Sequence, residues 1–92
     1  TSVMHYESDP KKLAENVAKH QVWFAEAADF EWDSAMIIID SRRRYAEPRF
    51  QATGVIGARL YVLIFCFRET KIRLISLRRA NAREVQRYAQ VY

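Results

Sequence analysis

The run Leu60-Tyr61-Val62-Leu63-Ile64-Phe65-Cys66-Phe67 is apolar from end to end. It is too short for a membrane span, rich in β-branched and aromatic side chains, and bounded by turn residues. It therefore reads as a central strand covered on both faces. Gly57-Ala58 before it is a hairpin turn. Ahead of that turn, Phe50, Ala52, Gly54 and Ile56 alternate with Arg49, Gln51, Thr53 and Val55, the pattern of a half-buried strand with one wet face. On the other side, Arg68-Glu69-Thr70-Lys71 is a second turn leading to a strand over Ile72–Leu77. Ala35–Ile39 forms another β-branched strand, ended by Asp40, and Ser41–Pro48 is a basic loop.

Further out the period changes. Asp9-Pro10 is a helix start, because Asp accepts from free backbone N–H groups and Pro suits the first turn. Leu13, Val17 and His20 then predict a helix over residues 10–20, and Trp23, Ala27 and Phe30 a second helix over 23–30. Asn81-Ala82-Arg83-Glu84 has the form of a capping box, and Val85, Tyr88, Ala89 and Tyr92 make the apolar stripe of a C-terminal helix. His5-Tyr6 is a candidate for a short additional strand. The expectation is an α+β fold: two N-terminal helices, an antiparallel sheet of about four strands, and a final helix. With 92 residues the chain is expected to be one domain spanning 4–92, with Thr1-Ser2-Val3 as a remnant outside it.

The formal net charge is +4 and the isoelectric point is near 9.5. Arginine supplies eleven of the 15 cationic side chains. Its planar fork matches phosphate and stays protonated, so an acidic partner is favoured: RNA, DNA or an acidic protein segment. With one cysteine, Cys66, no internal disulfide can form, and its place in the apolar run makes it a small buried hydrophobe rather than a thiolate nucleophile. No stretch reaches the roughly 18 apolar residues of a membrane span. The N-terminus carries no basic-then-apolar signal, so no membrane partner and a cytoplasmic location are expected.

Classes built on metals, glycine-rich phosphate loops or nucleophile elbows find no support. His5 and His20 lie far apart, and neither has a zinc-type spacing to Cys or a carboxylate. No cofactor is expected. What remains are cations distributed around the sheet: Arg42, Arg43 and Arg44 in the basic loop, Arg49 and Arg59 beside the first long hairpin, Arg68 and Lys71 beside the second, and Arg73, Arg78 and Arg79 on or just after the last strand. Arg73 alternates with apolar neighbours, so its charge must lie on an open face or in a paired site.

Metal-free RNA cleavage requires a base for the 2′-hydroxyl, cations for the charge building on phosphorus, and an acid for the departing 5′-oxygen. Arginines suit the middle task. Lys19, His20, Glu47 and Tyr88 are candidates for proton transfer. At a helix C-terminus the dipole favours a cationic His20, which suits an acid or phosphate contact, or a cap on its own helix. Glu47, extended before Pro48, either takes part or pairs with a nearby arginine. Tyr88 lies on the apolar stripe, where core packing is the alternative.

Tyr6-Glu7-Ser8-Asp9-Pro10, Asn16, Lys19-His20, Val22, Phe24, Glu26 and Ala27 resemble the opening of BrnT toxins. Asp40, Arg42, Tyr45, Glu47, Arg49, Phe50 and Gly54 resemble the family's middle segment. Arg73-Leu74-Ile75-Ser76-Leu77-Arg78-Arg79-Ala80 with Glu84 and Tyr88 is similar to its closing motif, the most specific piece. The resemblance spans Tyr6 to Tyr88. It implies a RelE-like, metal-independent endoribonuclease toxin of a type II toxin–antitoxin system, with RNA as substrate. It also implies a BrnA-type antitoxin carrying a ribbon-helix-helix DNA-binding domain, through which operator DNA would be reached indirectly. On this reading Lys19, His20, Glu47, Arg49, Arg73, Arg79 and Tyr88 are the catalytic candidates, and Arg42, Arg43, Arg44, Arg68, Lys71 and Arg78 the RNA-binding ones. A diverged module that binds RNA or antitoxin without cutting, or a basic domain with a protein partner alone, fits the same composition.

Two positions depart from the family pattern. Ser8 stands where tryptophan is usual, and Gln21 where glycine follows Lys-His. A glycine there suits a left-handed helix cap. Gln21 therefore either adopts that conformation, at about 1 kcal/mol, or sends the chain out by another path.

Overall fold

The computed structural model describes residues 5–92, so the expectation for Thr1–Val3 falls outside the described residues. The elements run β1 (Tyr6–Ser8), α1 (Pro10–His20), two 3-10 helices (Phe24–Asp29 and Trp32–Ser34), β2 (Met36–Ile39), β3 (Phe50–Ile56), β4 (Arg59–Arg68), β5 (Lys71–Arg79) and α2 (Ala82–Val91). The class is α+β, with three corrections in detail. The sheet has five strands in the order β1-β5-β4-β3-β2, not about four. It is mixed rather than antiparallel, because β1 lies parallel to β5 with Tyr6 opposite Ile72. The second N-terminal helix is a 3-10 helix, with Val22, Phe24, Ala27 and Phe30 buried. The buried positions are spaced by two and three residues, with the expected Trp23 exposed, so the tighter three-residue winding meets the sheet with more of them.

β4 occupies the centre of the sheet as its composition requires, with Tyr61 to Cys66 buried. One face of the sheet carries the core: Leu63, Phe65, Leu74 and Leu77 pack beneath Val22, Phe24, Ala27 and Phe30. Gly54 is required there, since a Cβ on it would stand 2.6 Å from the Phe30 ring. The opposite face of β3 is not uniformly wet, because Thr53 is also buried.

The register of the last hairpin decides what the open face displays. Phe65 pairs with Leu74, but Ile64 pairs with Ser76, so Ile75 is an extra residue in β5. Arg73 and Arg78 are an odd number of residues apart, and regular alternation would place them on opposite faces. The bulge cancels that offset. Arg73 pairs across from Cys66 and Arg78 from Val62, on the face opposite Leu74 and Leu77, and the strand runs on through Arg79, beyond its expected end at Leu77.

α1 is anchored at the edge of β5 that β1 leaves unpaired. Asn16 is buried, and its carboxamide acts as a strand partner: Oδ1 accepts from the Leu77 N–H at 3.0 Å and Nδ2 donates to the Leu77 carbonyl at 2.7 Å. The same Nδ2 donates to the Val22 carbonyl at 2.9 Å, tying the segment after the helix to the same point. α2 is held differently. Its expected apolar stripe is largely exposed, with Val85 at 42% and Tyr92 at 62%, and its buried residue is Glu84. The capping box is formed: Asn81 Oδ1 accepts from the Glu84 N–H, and Glu84 Oε1 from the Asn81 N–H, both at 2.9 Å.

Candidate active site

The helical period of α1 brings Lys12, Glu15, Asn16, Lys19 and His20 to one side. Asp9 starts the helix by accepting from the Lys11 N–H at 2.9 Å, with Pro10 in the first turn. Gln21 ends it at φ 56° and ψ 32°, and its N–H donates to the Val17 carbonyl. The left-handed exit is thus taken by a non-glycine residue, and Lys19 and His20 remain in the last turn.

That side of α1 faces the basic loop across β5. Between them lies an open cleft of about 570 Å³, lined by Lys12, Glu15, Lys19 and His20 from the helix, Arg42, Arg43, Tyr45 and Arg49 from the loop, and Ile75 and Ser76 from the bulge. A smaller hollow of about 160 Å³ shares Lys12, Tyr45, Arg49 and Ile75 and continues past Glu47, Cys66, Arg68 and Arg73. A third, of about 310 Å³, adjoins the main cleft at His20 and is lined by Gln21, Val22, Glu26, Tyr61 and Arg79.

The loop is organised by Asp40, the residue that follows β2. Its carboxylate is buried and accepts from Arg42 Nε and Nη2, both at 2.8 Å, and from the Tyr45 hydroxyl at 3.2 Å. Tyr45 in turn supports the Arg49 guanidinium, whose carbon stands 4.2 Å from the ring centroid. The Asp40 N–H closes the loop on the Arg49 carbonyl at 2.8 Å. The Arg42 fork holds the Asp40 carboxyl down at about 2, against the opposing effect of burial. Asp40 therefore stays ionised and fixes cations rather than exchanging protons. An Asp two residues before an Arg at a strand end, able to accept from the Arg42 N–H at 3.3 Å, was the available signal.

His20 departs from the sequence expectation. Burial, and then the charges of Lys19 and Arg78, push its pKa below the ordinary 6.5. The imidazole is neutral near pH 7, the form that accepts a proton.

The remaining candidates separate. Glu47 pairs with Arg68 at 3.2 Å, and Arg73 with Glu7 at 3.2 Å, both beside the smaller hollow. Arg79 lines the third hollow and not the main cleft. Arg78 is held by Glu84 through two bonds of 2.8 Å, which raise the Arg78 pKa and lower that of Glu84. Tyr88 donates to the Ser34 carbonyl at 2.8 Å and stacks on Tyr92, and it lines none of these three clefts. Arg44 and Lys71 are exposed and also lie outside them. Burial pushes the Cys66 thiol up, in keeping with a hydrophobe rather than a nucleophile. Among the described residues no group of three or more His, Cys, Asp or Glu could hold a metal ion, and no helix is long and apolar enough to cross a membrane. Lys12 and Glu15, which carry no sequence signal, join the cleft through helix phase, while Tyr45 and Ser76, known only as motif positions, join it through loop closure and the bulge.

The cleft thus gathers one neutral imidazole and several cations with water access, a set able to hold a phosphodiester and take a proton from a neighbouring hydroxyl. Comparison of the sequence with curated proteins gives no match. A family model described as the ribonuclease toxin BrnT of type II toxin–antitoxin systems matches residues 9–84. With most of its length covered by that match, the chain belongs to the BrnT family of ribonuclease toxins of type II toxin–antitoxin systems.

Proposed function

We propose that this chain is a metal-independent endoribonuclease with a RelE-like fold, acting as one domain over residues 4–92. The observation that carries the proposal is the convergence of Lys19, His20, Arg42, Arg43 and Arg49 on one cleft. Neutral His20 takes the proton of a ribose 2′-hydroxyl. The 2′-oxygen then bonds to phosphorus and the bond to the 5′-oxygen breaks, leaving a 2′,3′-cyclic phosphate and a 5′-hydroxyl end. Arg42, Arg43 and Arg49 stabilise the charge on the phosphorane oxygens, and Lys19 supplies the proton to the departing 5′-oxygen. Arg73 and Arg68 carry the strand onward along the smaller hollow, with Arg44, Lys71 and Arg78 as outlying phosphate contacts. Glu47, Arg79 and Tyr88 act less directly, through pairing, neighbouring-base contact and helix anchoring. The partner that silences it is a BrnA-type antitoxin with a ribbon-helix-helix domain, which reaches operator DNA on the toxin's behalf.

The test is incubation of the full chain with RNA in excess chelator. Cleavage to cyclic-phosphate ends is expected. Its rate should rise with pH up to a midpoint below 6.5, because His20 must lose its proton first. His20→Ala should lower the rate by about a hundredfold or more. RNA left intact at high protein excess would favour a second reading, a module that binds RNA or antitoxin without cutting. Its motivation is the engagement of Glu47, Arg73 and Arg78 in ion pairs.

A further inference from the structure

The hollow beside His20 holds two opposite charges that do not neutralise each other. Glu26 and Arg79 both line it, yet among the described residues neither has an ion-pair partner. Glu26 is fixed in place because its Oε2 accepts from the Trp23 N–H at 2.9 Å, and its carboxylate keeps lone pairs on both oxygens for further donors. Arg79 is exposed at the end of β5, opposite Tyr61. Val22 and Tyr61, both buried, supply the apolar wall. The volume of about 310 Å³ is at the small end for a ligand site and sufficient for a purine ring.

We propose that this hollow is a guanine subsite for the nucleotide next to the cleaved phosphate, a specificity that rests on the ribonuclease reading above. Guanine is the base that presents two parallel N–H donors, N1 and N2, beside two acceptors, O6 and N7. A carboxylate takes the first pair and a guanidinium the second. Adenine offers no donor pair to a carboxylate, while uracil and cytosine each offer a single N–H group to it and no N7. An unstacked base of single-stranded RNA has these edges free, and it packs its ring face on an apolar or aromatic wall such as Tyr61. His20 lines both the hollow and the main cleft, so a base seated here places its own ribose and phosphate at the imidazole.

The test is calorimetric titration of the full chain with the 3′-monophosphates of guanosine, adenosine, cytidine and uridine. Guanosine 3′-monophosphate is expected to bind at least about tenfold more tightly than the other three, as one good two-bond contact provides. Glu26→Gln keeps an oxygen for the Trp23 N–H but loses the carboxylate, and should bring guanosine 3′-monophosphate down to the level of the others. Equal affinity for all four in the unaltered protein, or a preference that survives Glu26→Gln, overturns the proposal. Binding is read without cleavage, so the two readings fail separately. Guanosine preference without RNA cleavage keeps the subsite and ends the ribonuclease reading. Cleavage without preference does the reverse.

Discussion

α1 and α2 flank the same strand and are attached to it in opposite ways. α1 is fixed by an uncharged group: the Asn16 carboxamide completes the hydrogen bonding of the β5 edge at Leu77 and joins it to Val22. α2 is fixed by a charge and by hydroxyls: Glu84 grips Arg78, Tyr88 reaches the Ser34 carbonyl, and Tyr92 reaches that of Ala35. The helix that carries Lys19 and His20 is thus bonded to the sheet by a buried group that does not titrate. The helix outside the cleft depends on an ion pair. A cleft wall must hold its side chains within fractions of an ångström, and short buried bonds to backbone do this better than a partly hydrated pair.

The largest effect is expected at Asn16. Asn16→Leu leaves the Leu77 N–H and the Leu77 and Val22 carbonyls buried without partners. It should lower stability by about 3 kcal/mol, measured by urea denaturation. A loss as small as that of an exposed residue would break the comparison, because α1 would then be held by its apolar contacts alone.

Next is Glu84→Gln, which keeps the cap on the Asn81 N–H and removes the charge facing Arg78. A loss of about 1.5 kcal/mol is expected, below that at Asn16, because Arg78 keeps some contact with water. The pair also makes a pH prediction. The Glu84 pKa is lowered in the folded protein from its ordinary 4.5, so the folded state prefers the ionised form. Its contribution is present above pH 4.5 and is lost as pH falls through the lower, folded value. The unaltered protein should therefore lose stability in acid more steeply than Glu84→Gln, with Asp40, held at about 2, adding a common background. Identical acid profiles for the two proteins would remove the pair as the anchor of α2.

The smallest effect is at the end of α1. Gln21→Gly relieves a left-handed side chain at φ 56° and should raise the thermal midpoint through about 0.5 kcal/mol. RNA cleavage is expected to be unchanged, since the helix exit already has the required geometry. A change in rate would mean that the Gln21 side chain, which lines the hollow beside His20, contributes there.

Much of this was legible locally. The span of α1, its Asp9 start, the β3–β4–β5 meander and the Asn81–Glu84 capping box all depend on neighbours a few residues apart, and periodicity reports such neighbours. The parallel pairing of β1 was not legible, because a strand of three residues has no period and takes its direction from a partner more than sixty positions away. Nor was the role of Asn16, whose partner Leu77 is equally distant. The dipole of its own helix favours a raised proton affinity for His20. Burial lowers that affinity first, and the charges of Lys19 and of Arg78, the latter on another element, lower it further.

By itself the sequence determined the basic character of the protein, the α+β order of its elements and the residues of its family motifs. Composition and short-range pattern suffice for these. The tertiary structure decided which cations share a cleft. Buried Asp40 bound the basic loop into a wall facing α1, and one extra residue in β5, Ile75, put Arg73 and Arg78 on the same face of the sheet without placing them in one hollow. A bulge is defined by pairing across strands, and a buried carboxylate by what encloses it. Neither property belongs to a single stretch of chain.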